Sequence, residues 1–225
     1  MGPNPASTGA WGRIVDPVWE REKLEAWRRL WEDLEIGYLD TDILDVLVEF
    51  FLRPGSYSKS SCSGRITVID AKYPWAKEET MTVFKKHEPV TVEEIRAVLG
   101  RPWSTRLWLS VQGPIYHVYT YSLEEARILL EAAREAGFKH SGILVPSEHP
   151  LVELRTGIRA DILLADGDTV IVGEDEKLQH AVNVANEVLL QAKKRNERLL
   201  QALRYRRPAR LWEPAVEEAR RRGWL

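Results

Sequence analysis

The chain has 225 residues, of which 44% are hydrophobic and 29% charged, with a net charge of −2. This composition is typical of a globular protein and excludes a chain that is disordered throughout. No apolar run reaches the roughly 18 residues of a membrane span, and we find no secretory signal before the first predicted helix. One cysteine excludes a disulfide framework and a multi-cysteine metal site, so we expect a cytoplasmic protein without a metal or a membrane partner.

Helical signals dominate the first quarter of the chain. Residues 1–15 are rich in Gly, Pro and Ser, and we expect them to be flexible. Asp16-Pro17 is typical of a helix cap followed by a first-turn proline, and the apolar spacing after it predicts a helix over 16–36. A second helix is predicted over 40–53, where a Pro-Gly pair ends it.

Strands and helices then alternate. Two Ser/Thr-x-x-Glu patterns, at Thr91 and Ser122, are capping boxes that predict helices over 91–99 and 122–136. A long helix over 174–205 and a short one that begins near Pro214 complete the chain. Periodicity and β-branched runs predict strands over 66–70, 80–87, 107–111, 115–121, 141–145, 151–155 and 169–172.

This order predicts an α+β fold. We expect a single domain over 16–225, with one mixed sheet covered by helices. It is not a Rossmann fold, because the connections are irregular and no Gly-x-Gly-x-x-Gly follows a strand. A strand–helix–strand unit occurs twice, which is compatible with an internal duplication.

The segment over 56–65 is rich in hydroxyls and is predicted to be a loop. Six hydroxyls, one thiol and one glycine precede an arginine at a strand entrance. Backbone amides and hydroxyls in such a loop can surround a carboxylate, a phosphate or a ribose, and the arginine adds a fork for an anion. A flexible linker is the alternative. The candidate binding residues are Ser60, Ser61, Ser63, Gly64 and Arg65.

Four titratable residues are candidates for catalysis. Cys62 is a nucleophile with a histidine partner or, alternatively, a small packing residue. His87, His117 and Asp70 lie in or beside predicted strands and are candidate general bases; the alternatives are structural histidines and a turn cap. The other histidines lack metal-ligand spacing.

Basic residues are concentrated at the C-terminus. Residues 193–225 contain 11 Lys/Arg and 4 Asp/Glu, so this end carries +7 and the remainder −9. The imbalance indicates an anionic partner, with nucleic acid as the first candidate, although a solvated helix face explains it equally well. The candidate RNA-binding residues on one helix are Lys193, Lys194, Arg195 and Arg198.

Six short motifs, in order, resemble one family. They cover 60–66, 86–87, 115–118, 136–142, 152–156, and 183–186 together with 194–198. Together they resemble the wybutosine-synthesis tRNA methyltransferases, the archaeal and eukaryotic relatives of the third enzyme of the yeast wybutosine pathway. Each motif is weak alone, but their common order over 56–200 is specific.

The resemblance implies a reaction. It is S-adenosylmethionine-dependent methylation of the N4 nitrogen of 7-aminocarboxypropyl-demethylwyosine, next to the anticodon of phenylalanine tRNA, on a non-Rossmann fold. The hydroxyls of 60–63 and the amides near Gly64 would hold the amino acid end of the cofactor, and Arg65 or Arg155 would meet its carboxylate or an RNA phosphate. One of the candidate bases would take the proton.

The resemblance also assigns the remaining features. Cys62 becomes structural, because methyl displacement needs no thiol. Tyr116, Tyr119 or Trp108 would stack on adenine or on the modified base. The basic helices over about 174–222 would bind phosphates of the anticodon stem. A non-catalytic RNA-binding protein and a cysteine hydrolase are the competing hypotheses.

Overall fold

A computed structural model describes residues 16–76 and 80–225. The expected flexible segment 1–15 lies outside the described residues. In the described part, the α-helices are α1 (Pro17–Glu35), α2 (Leu44–Leu52), α3 (Val92–Leu99), α4 (Leu123–Ala136), α5 (Asp175–Tyr205) and α6 (Glu213–Arg221). No helix in these ranges has the length and apolar character needed to cross a membrane.

The helix boundaries follow from local capping. The Asp16 carboxylate accepts hydrogen bonds from the first backbone N–H groups of α1, and the Thr91 box is reciprocal, as predicted. Ser122 caps α4 in the predicted way, but Glu125 does not complete that box because its carboxylate binds Arg53 instead. The second predicted helix divides into a short 3-10 helix, Thr41–Ile43, followed by α2.

The strands form two sheets, in which every pairing of the described residues is antiparallel, rather than the single mixed sheet that the sequence predicts. One sheet has the order β1-β5-β7-β6 and the other the order β3-β2-β4-β8-β9. The strands are β1 (Ser56–Cys62), β2 (Arg65–Asp70), β3 (Met81–Lys86), β4 (Arg106–Gln112), β5 (Ile115–Thr120), β6 (Gly142–Val145), β7 (Leu151–Arg155), β8 (Arg159–Asp166) and β9 (Thr169–Val170).

Three long bent strands connect the two sheets. β1 continues into β2, β4 into β5, and β7 into β8, and these pairs have the same neighbours in both sheets. The bends lie side by side at 63–64, 113–114 and 156–158, which we call the seam. Gly64 has φ +105°, a left-handed conformation that favours glycine, and Gly113 is required because a Cβ there would overlap the Thr156 hydroxyl.

Two predictions about strands were wrong. The segment predicted as a hydroxyl-rich loop is strand β1, because pairing with the tyrosine-rich β5 outweighs the weak strand propensity of serine. Strand β8 was not predicted; its charged residues interrupt the apolar pattern, but they bind partners on the open face of the sheet. Ser110 on β4 donates a hydrogen bond to Asp161 on β8, for example.

The two strand–helix–strand units share one topology. In β3-α3-β4 and in β5-α4-β6, both flanking strands are antiparallel to one strand that lies between them. Each unit is therefore a split βαβ arrangement. This shared topology agrees with the internal duplication that the sequence allows.

Helix α5 joins two hydrophobic cores across the seam. Its first half packs with α3 against the β2–β4–β8 sheet, and its second half packs with α1, α2, α4 and α6 against the other sheet. At 31 residues it is about 46 Å long. The seam is thus a bend in the sheets, crossed on one side by a single rigid helix.

Candidate active site

The open face of the first sheet presents two rows of side chains near the seam. Residues directly opposite each other on antiparallel strands share a face. Cys62 lies opposite Ile115, which lies opposite Arg155. The neighbouring row, two residues farther from the seam, contains Ser60, His117 and Glu153. The fold therefore brings together residues that are 95 positions apart in sequence.

The second row is a continuous hydrogen-bonded chain. His117 Nδ1 lies 2.8 Å from Ser60 Oγ, and His117 Nε2 lies 3.1 Å from Glu153 Oε2. Because a carboxylate only accepts, Nε2 carries the proton toward Glu153, and Nδ1 accepts from the serine hydroxyl. Both ring nitrogens of His117 are therefore committed.

A second histidine–carboxylate pair lies beside Cys62. His87 Nδ1, just after β3, is 2.6 Å from Asp40 Oδ1, and Asp40 Oδ2 accepts from the backbone N–H of Ser63 at 2.8 Å. His87 Nδ1 is buried and contacts Asp40 Oδ1, although this contact falls outside strict hydrogen-bond geometry.

Local electrostatics keep Asp40 ionised. Burial alone would raise its pKa, but the contact with His87 and the hydrogen bond from Ser63 outweigh burial and lower the pKa. Burial raises the pKa of the Cys62 thiol, an effect that the backbone N–H of Gly64 only partly offsets. The site therefore contains a carboxylate and a neutral thiol.

One group of atoms at this site could coordinate a metal. Single ligand atoms of Asp40, Cys62 and His87 lie within 4.8 Å of one another, and zinc accepts all three ligand types. Without a metal, burial raises the pKa of Cys62 and favours the thiol, whereas a bound metal would take the thiolate. The raised pKa also makes Cys62 a weak nucleophile.

Ser63 is enclosed by protein contacts. Its Oγ binds Lys193 Nζ at 2.8 Å, its carbonyl accepts from Asn196 Nδ2 at 3.2 Å, and its N–H is used by Asp40. The Tyr116 hydroxyl donates to Asn196 Oδ1 at 2.8 Å, and the tyrosine is fully buried. Ser63 is therefore a structural residue rather than a ligand contact, and Tyr116 cannot stack on a base.

The other predicted binding residues differ in accessibility. Ser60 and Arg155 are exposed, and Ser61 and Arg65 are half-buried. The Arg65 guanidinium donates twice to Gln112 Oε1, at 3.0 and 3.1 Å. Arg155 forms no salt bridge within 16–76 and 80–225, so its charge is available to a ligand. Gly64 contributes its left-handed backbone conformation and a backbone N–H directed at the Cys62 thiol.

Asp70 does not belong to this site. It lies at the end of β2 that is farther from the seam, and its carboxylate accepts from the backbone N–H groups of Ser104 and Thr105 and from the Thr105 hydroxyl. Burial would raise its pKa, but these hydrogen bonds outweigh burial and lower it. Asp70 is a turn cap, which corrects its assignment as a candidate base.

The four candidate RNA-binding residues on α5 do not share one environment. Lys193 points inward to Asp42 and Ser63, and the Arg195 guanidinium lies against Gly137. Lys194 and Arg198 are exposed. Of the four candidates, only Lys194 and Arg198 carry a charge that is accessible to a ligand.

Much of the remaining basic charge is neutralised internally. Arg204 and Arg207 both bind buried Glu49, Arg206 binds Glu135, and Glu218 binds Arg221 and Arg222. Part of the C-terminal excess is therefore paired with Glu49 and Glu135 elsewhere in the fold, and the accessible cationic surface is smaller than the sequence indicates.

Two cavities flank the segment that contains Asp40. One, of about 860 Å³, is lined by Asp40, Tyr119 and the strand residues 57–61. The other, of about 710 Å³, lies between α2 and α5 and is lined by Asp42, Lys193 and Asn196 among others. Each has the volume of a pocket for a nucleoside-sized ligand.

Sequence reasoning missed three of these residues. Asp40 lies at the start of the second predicted helix, and Glu153 and Asn196 lie within motifs that resemble the family, but the sequence analysis gave none of the three a role of its own. Only the long-range pairings of β1 with β5 and of α5 with the seam reveal their partners.

Comparison with known proteins identifies relatives of this chain. The family described as Methyltransferase TYW3 matches residues 21–205. A protein from Saccharolobus solfataricus, named tRNA(Phe) 7-((3-amino-3-carboxypropyl)-4-demethylwyosine(37)-N(4))-methyltransferase, is 47% identical over 180 residues, which are 79% of this chain and 86% of the relative. A protein of the same name from Aeropyrum pernix is 36% identical over 166 residues, 73% of this chain and 87% of the relative.

Solved structures show the same fold. The PH1069 protein from Pyrococcus horikoshii has a TM-score of 0.75 at 33% identity and covers 82% of this chain and 95% of its own. A hypothetical protein from Aeropyrum pernix has a TM-score of 0.67 at 31% identity, covering 73% and 96%. The α+β, non-Rossmann fold is confirmed, and the chain belongs to the Methyltransferase TYW3 family.

Proposed function

We propose that this chain methylates the N4 nitrogen of 7-(3-amino-3-carboxypropyl)-4-demethylwyosine at position 37 of tRNA(Phe), in the cytoplasm, with S-adenosylmethionine as the methyl donor. The observation that carries the proposal is the Asp40–His87 pair at the seam, in a chain 47% identical to an enzyme of that name. A carboxylate and an imidazole meet there in a half-buried site.

The reaction requires that the methyl donor and the acceptor nitrogen be positioned together and that one proton be removed from the nitrogen. The cofactor supplies an activated methyl group on a sulfonium; a nitrogen–carbon bond forms as the carbon–sulfur bond breaks. The acceptor nitrogen loses its proton, and a nearby base increases the rate if it is unprotonated. No covalent bond to the protein is needed, so Cys62 is not a nucleophile in this mechanism.

His87 is the proposed base. Its imidazole is paired with an ionised Asp40, which stabilises the imidazolium formed when His87 accepts the proton. His117 has both ring nitrogens engaged, so it serves to position Ser60. A histidine base ordinarily works near neutral pH.

The accessible groups on the open face fit the amino acid end of the cofactor. Its carboxylate needs a cation, which Arg65 or Arg155 provides, and its ammonium needs acceptors, which the Ser60 and Ser61 hydroxyls provide. Arg155 is exposed and has no salt bridge in the described part of the chain, which supports this role.

The substrate RNA is proposed to lie across the seam. Lys194 and Arg198 are exposed on α5 and would bind backbone phosphates of the anticodon stem. The modified base lies in a single-stranded loop, so it can enter the site with little unpairing.

The test is methylation of tRNA(Phe) that carries the demethylated intermediate. The mass of the base should increase by one methyl group only when both the protein and S-adenosylmethionine are present, and tRNA(Phe) that lacks the modified base should be unchanged. Binding of tRNA without any binding of S-adenosylmethionine in a calorimetric titration would favour the non-catalytic RNA-binding alternative and contradict the proposal.

A further inference from the structure

An aromatic pair on the β2–β3 connection is exposed to solvent. The rings of Tyr73 and Trp75 stack with their centroids 5.1 Å apart and their planes 11° apart. Trp75 is 70% exposed and Tyr73 41% exposed. Aromatic side chains usually bury most of their surface, so a stacked pair that presents its rings to solvent is a candidate binding surface.

The protein holds this pair in place with three hydrogen bonds to backbone carbonyls. Trp108 Nε1 donates to the carbonyl of Ala71, and Arg106 Nη1 donates to the carbonyl of Lys72, each at 3.0 Å. Arg159 Nη2 donates to the carbonyl of Pro74, also at 3.0 Å. The connection is therefore attached to the open face of the second sheet, and the rings are positioned before any ligand arrives.

The attachment places the pair toward the seam. Arg159 lies opposite Gln112 on the neighbouring strand, and Gln112 is the residue that binds Arg65 at the seam. The connection folds back from the far end of β2 over the sheet in the direction of the proposed active site.

Two basic side chains lie beside the Tyr73 ring, and one of them, Arg106, is paired with Asp166. Lys72 Nζ lies 5.8 Å from the centre of the Tyr73 ring, and the Arg106 guanidinium carbon lies 5.7 Å from it. Aromatic faces beside cations are the combination that binds unpaired nucleotides, because the bases stack while the phosphates are neutralised.

We propose that the Tyr73–Trp75 stack is a platform on which an unpaired base of the tRNA anticodon loop stacks. This inference rests on the proposed function, which supplies the RNA. A macromolecular partner fits better than the cofactor adenine, since a ring that is 70% exposed lies on an open surface rather than in an enclosed pocket. The RNA would then be held in two different ways, by charge on α5 and by stacking on Tyr73 and Trp75.

Two variants and one control test the platform in the full-length chain. The probe is a labelled RNA hairpin with the anticodon stem-loop sequence of tRNA(Phe), and binding is followed by fluorescence anisotropy. Trp75→Ala should weaken binding about tenfold, whereas Trp75→Phe, which keeps a stacking face, should bind within about twofold of the wild type. Leu123→Ala, which removes a side chain that is 66% exposed at the start of α4, is the control and should have no effect.

Two further measurements separate stacking from other causes. Trp75→Ala should bind a duplex of the stem alone as tightly as the wild type does, and its affinity for S-adenosylmethionine should be unchanged. Equal hairpin affinity of Trp75→Ala and the wild type would overturn the platform, and so would a loss confined to S-adenosylmethionine. A wild-type chain that does not bind the hairpin would also overturn the platform, whereas the proposed function is tested separately by methylation of tRNA(Phe) that carries the demethylated intermediate.

Discussion

The two histidine–carboxylate pairs differ in the hydrogen bonds that they leave unmade. His117 lies in the middle of a sheet, where strands on both sides supply partners for both ring nitrogens. His87 lies just past the end of an outer strand and meets the Asp40 carboxylate through Nδ1 alone, so Nε2 has no ion-pair partner among the described residues. A satisfied polar group stabilises the fold, whereas one with unused bonding capacity is available for chemistry.

The same contrast between paired and unpaired polar groups is found among other candidate residues. Ser63 and Asn196 have their polar groups paired inside the protein, and Asp70 accepts three hydrogen bonds. Arg155 and Lys194, by comparison, are exposed. By this difference we assign structural roles to Ser63, Asn196 and Asp70 and propose binding roles for Arg155 and Lys194.

The largest expected effect comes from His87→Ala. Loss of the proposed base should lower the single-turnover rate of methylation by about a hundredfold or more, with cofactor binding preserved. His180→Ala, which removes an exposed histidine near the start of α5, is the matched control and should be fully active. A His87→Ala variant that is folded and fully active would end the distinction between the two histidines.

Asn196→Ala should affect stability rather than chemistry. The substitution leaves the Tyr116 hydroxyl and the Ser63 carbonyl without their partners in a buried site, which should cost about 1–3 kcal/mol of unfolding free energy. Denaturant unfolding measures the loss. A variant as stable as the wild type would show that the paired groups do not stabilise the seam.

The double variant Lys194→Ala, Arg198→Ala should weaken tRNA binding and reduce its salt dependence. Loss of two phosphate contacts should lower the slope of log affinity against log salt concentration by about two. Glu197→Gln, at an exposed acidic position between them, is the control and should not weaken binding. An unchanged slope would assign both residues to a merely solvated helix face.

Glu153→Gln should have a smaller effect, because the amide oxygen can still accept from His117 Nε2. We expect the methylation rate to fall less than about tenfold, with a larger change in the apparent affinity for cofactor. Steady-state kinetics with varied S-adenosylmethionine separates the change in methylation rate from the change in apparent cofactor affinity. A loss as large as that of His87→Ala would make His117 the base.

Cys62→Ser should have the smallest effect. The thiol is half-buried with a raised pKa, and the proposed displacement does not use it. Activity should remain within about threefold of the wild type, since serine occupies less volume and keeps a polar group. A loss of several orders of magnitude in a folded variant would revive the cysteine hydrolase hypothesis.

Sequence reasoning predicted helices better than strands because helix signals are local. Asp16, Thr91 and Gly137 each cap a helix through residues within four positions, so the pattern is visible in a short window. Strand β1 has no such local signal; its partner β5 lies more than 50 residues away. The pairing that turns a serine-rich segment into a strand could not be read from that segment.

The candidate site was predicted only in part, because residue types are visible in the sequence whereas contacts across the fold are not. His87, His117 and Ser60 were identified because imidazole and hydroxyl groups can take part in catalysis or binding. All three also lie in motifs that resemble one family. Asp40 and Glu153 were missed, since each acts through a contact made across the fold. Asp70 was chosen for its position at a strand end, where its nearest partners are turn amides.

The pH dependence of single-turnover methylation tests the central claim most directly, with wild type compared to His87→Ala on tRNA(Phe) that carries the demethylated intermediate. Because the pKa of Asp40 is lowered, its carboxylate stays ionised throughout the neutral range, whereas a histidine base works only in its unprotonated form, which increases with pH. We predict a wild-type rate that rises with pH through neutrality and then levels, and a slow variant without that rise. The same rising profile in His87→Ala would contradict the account.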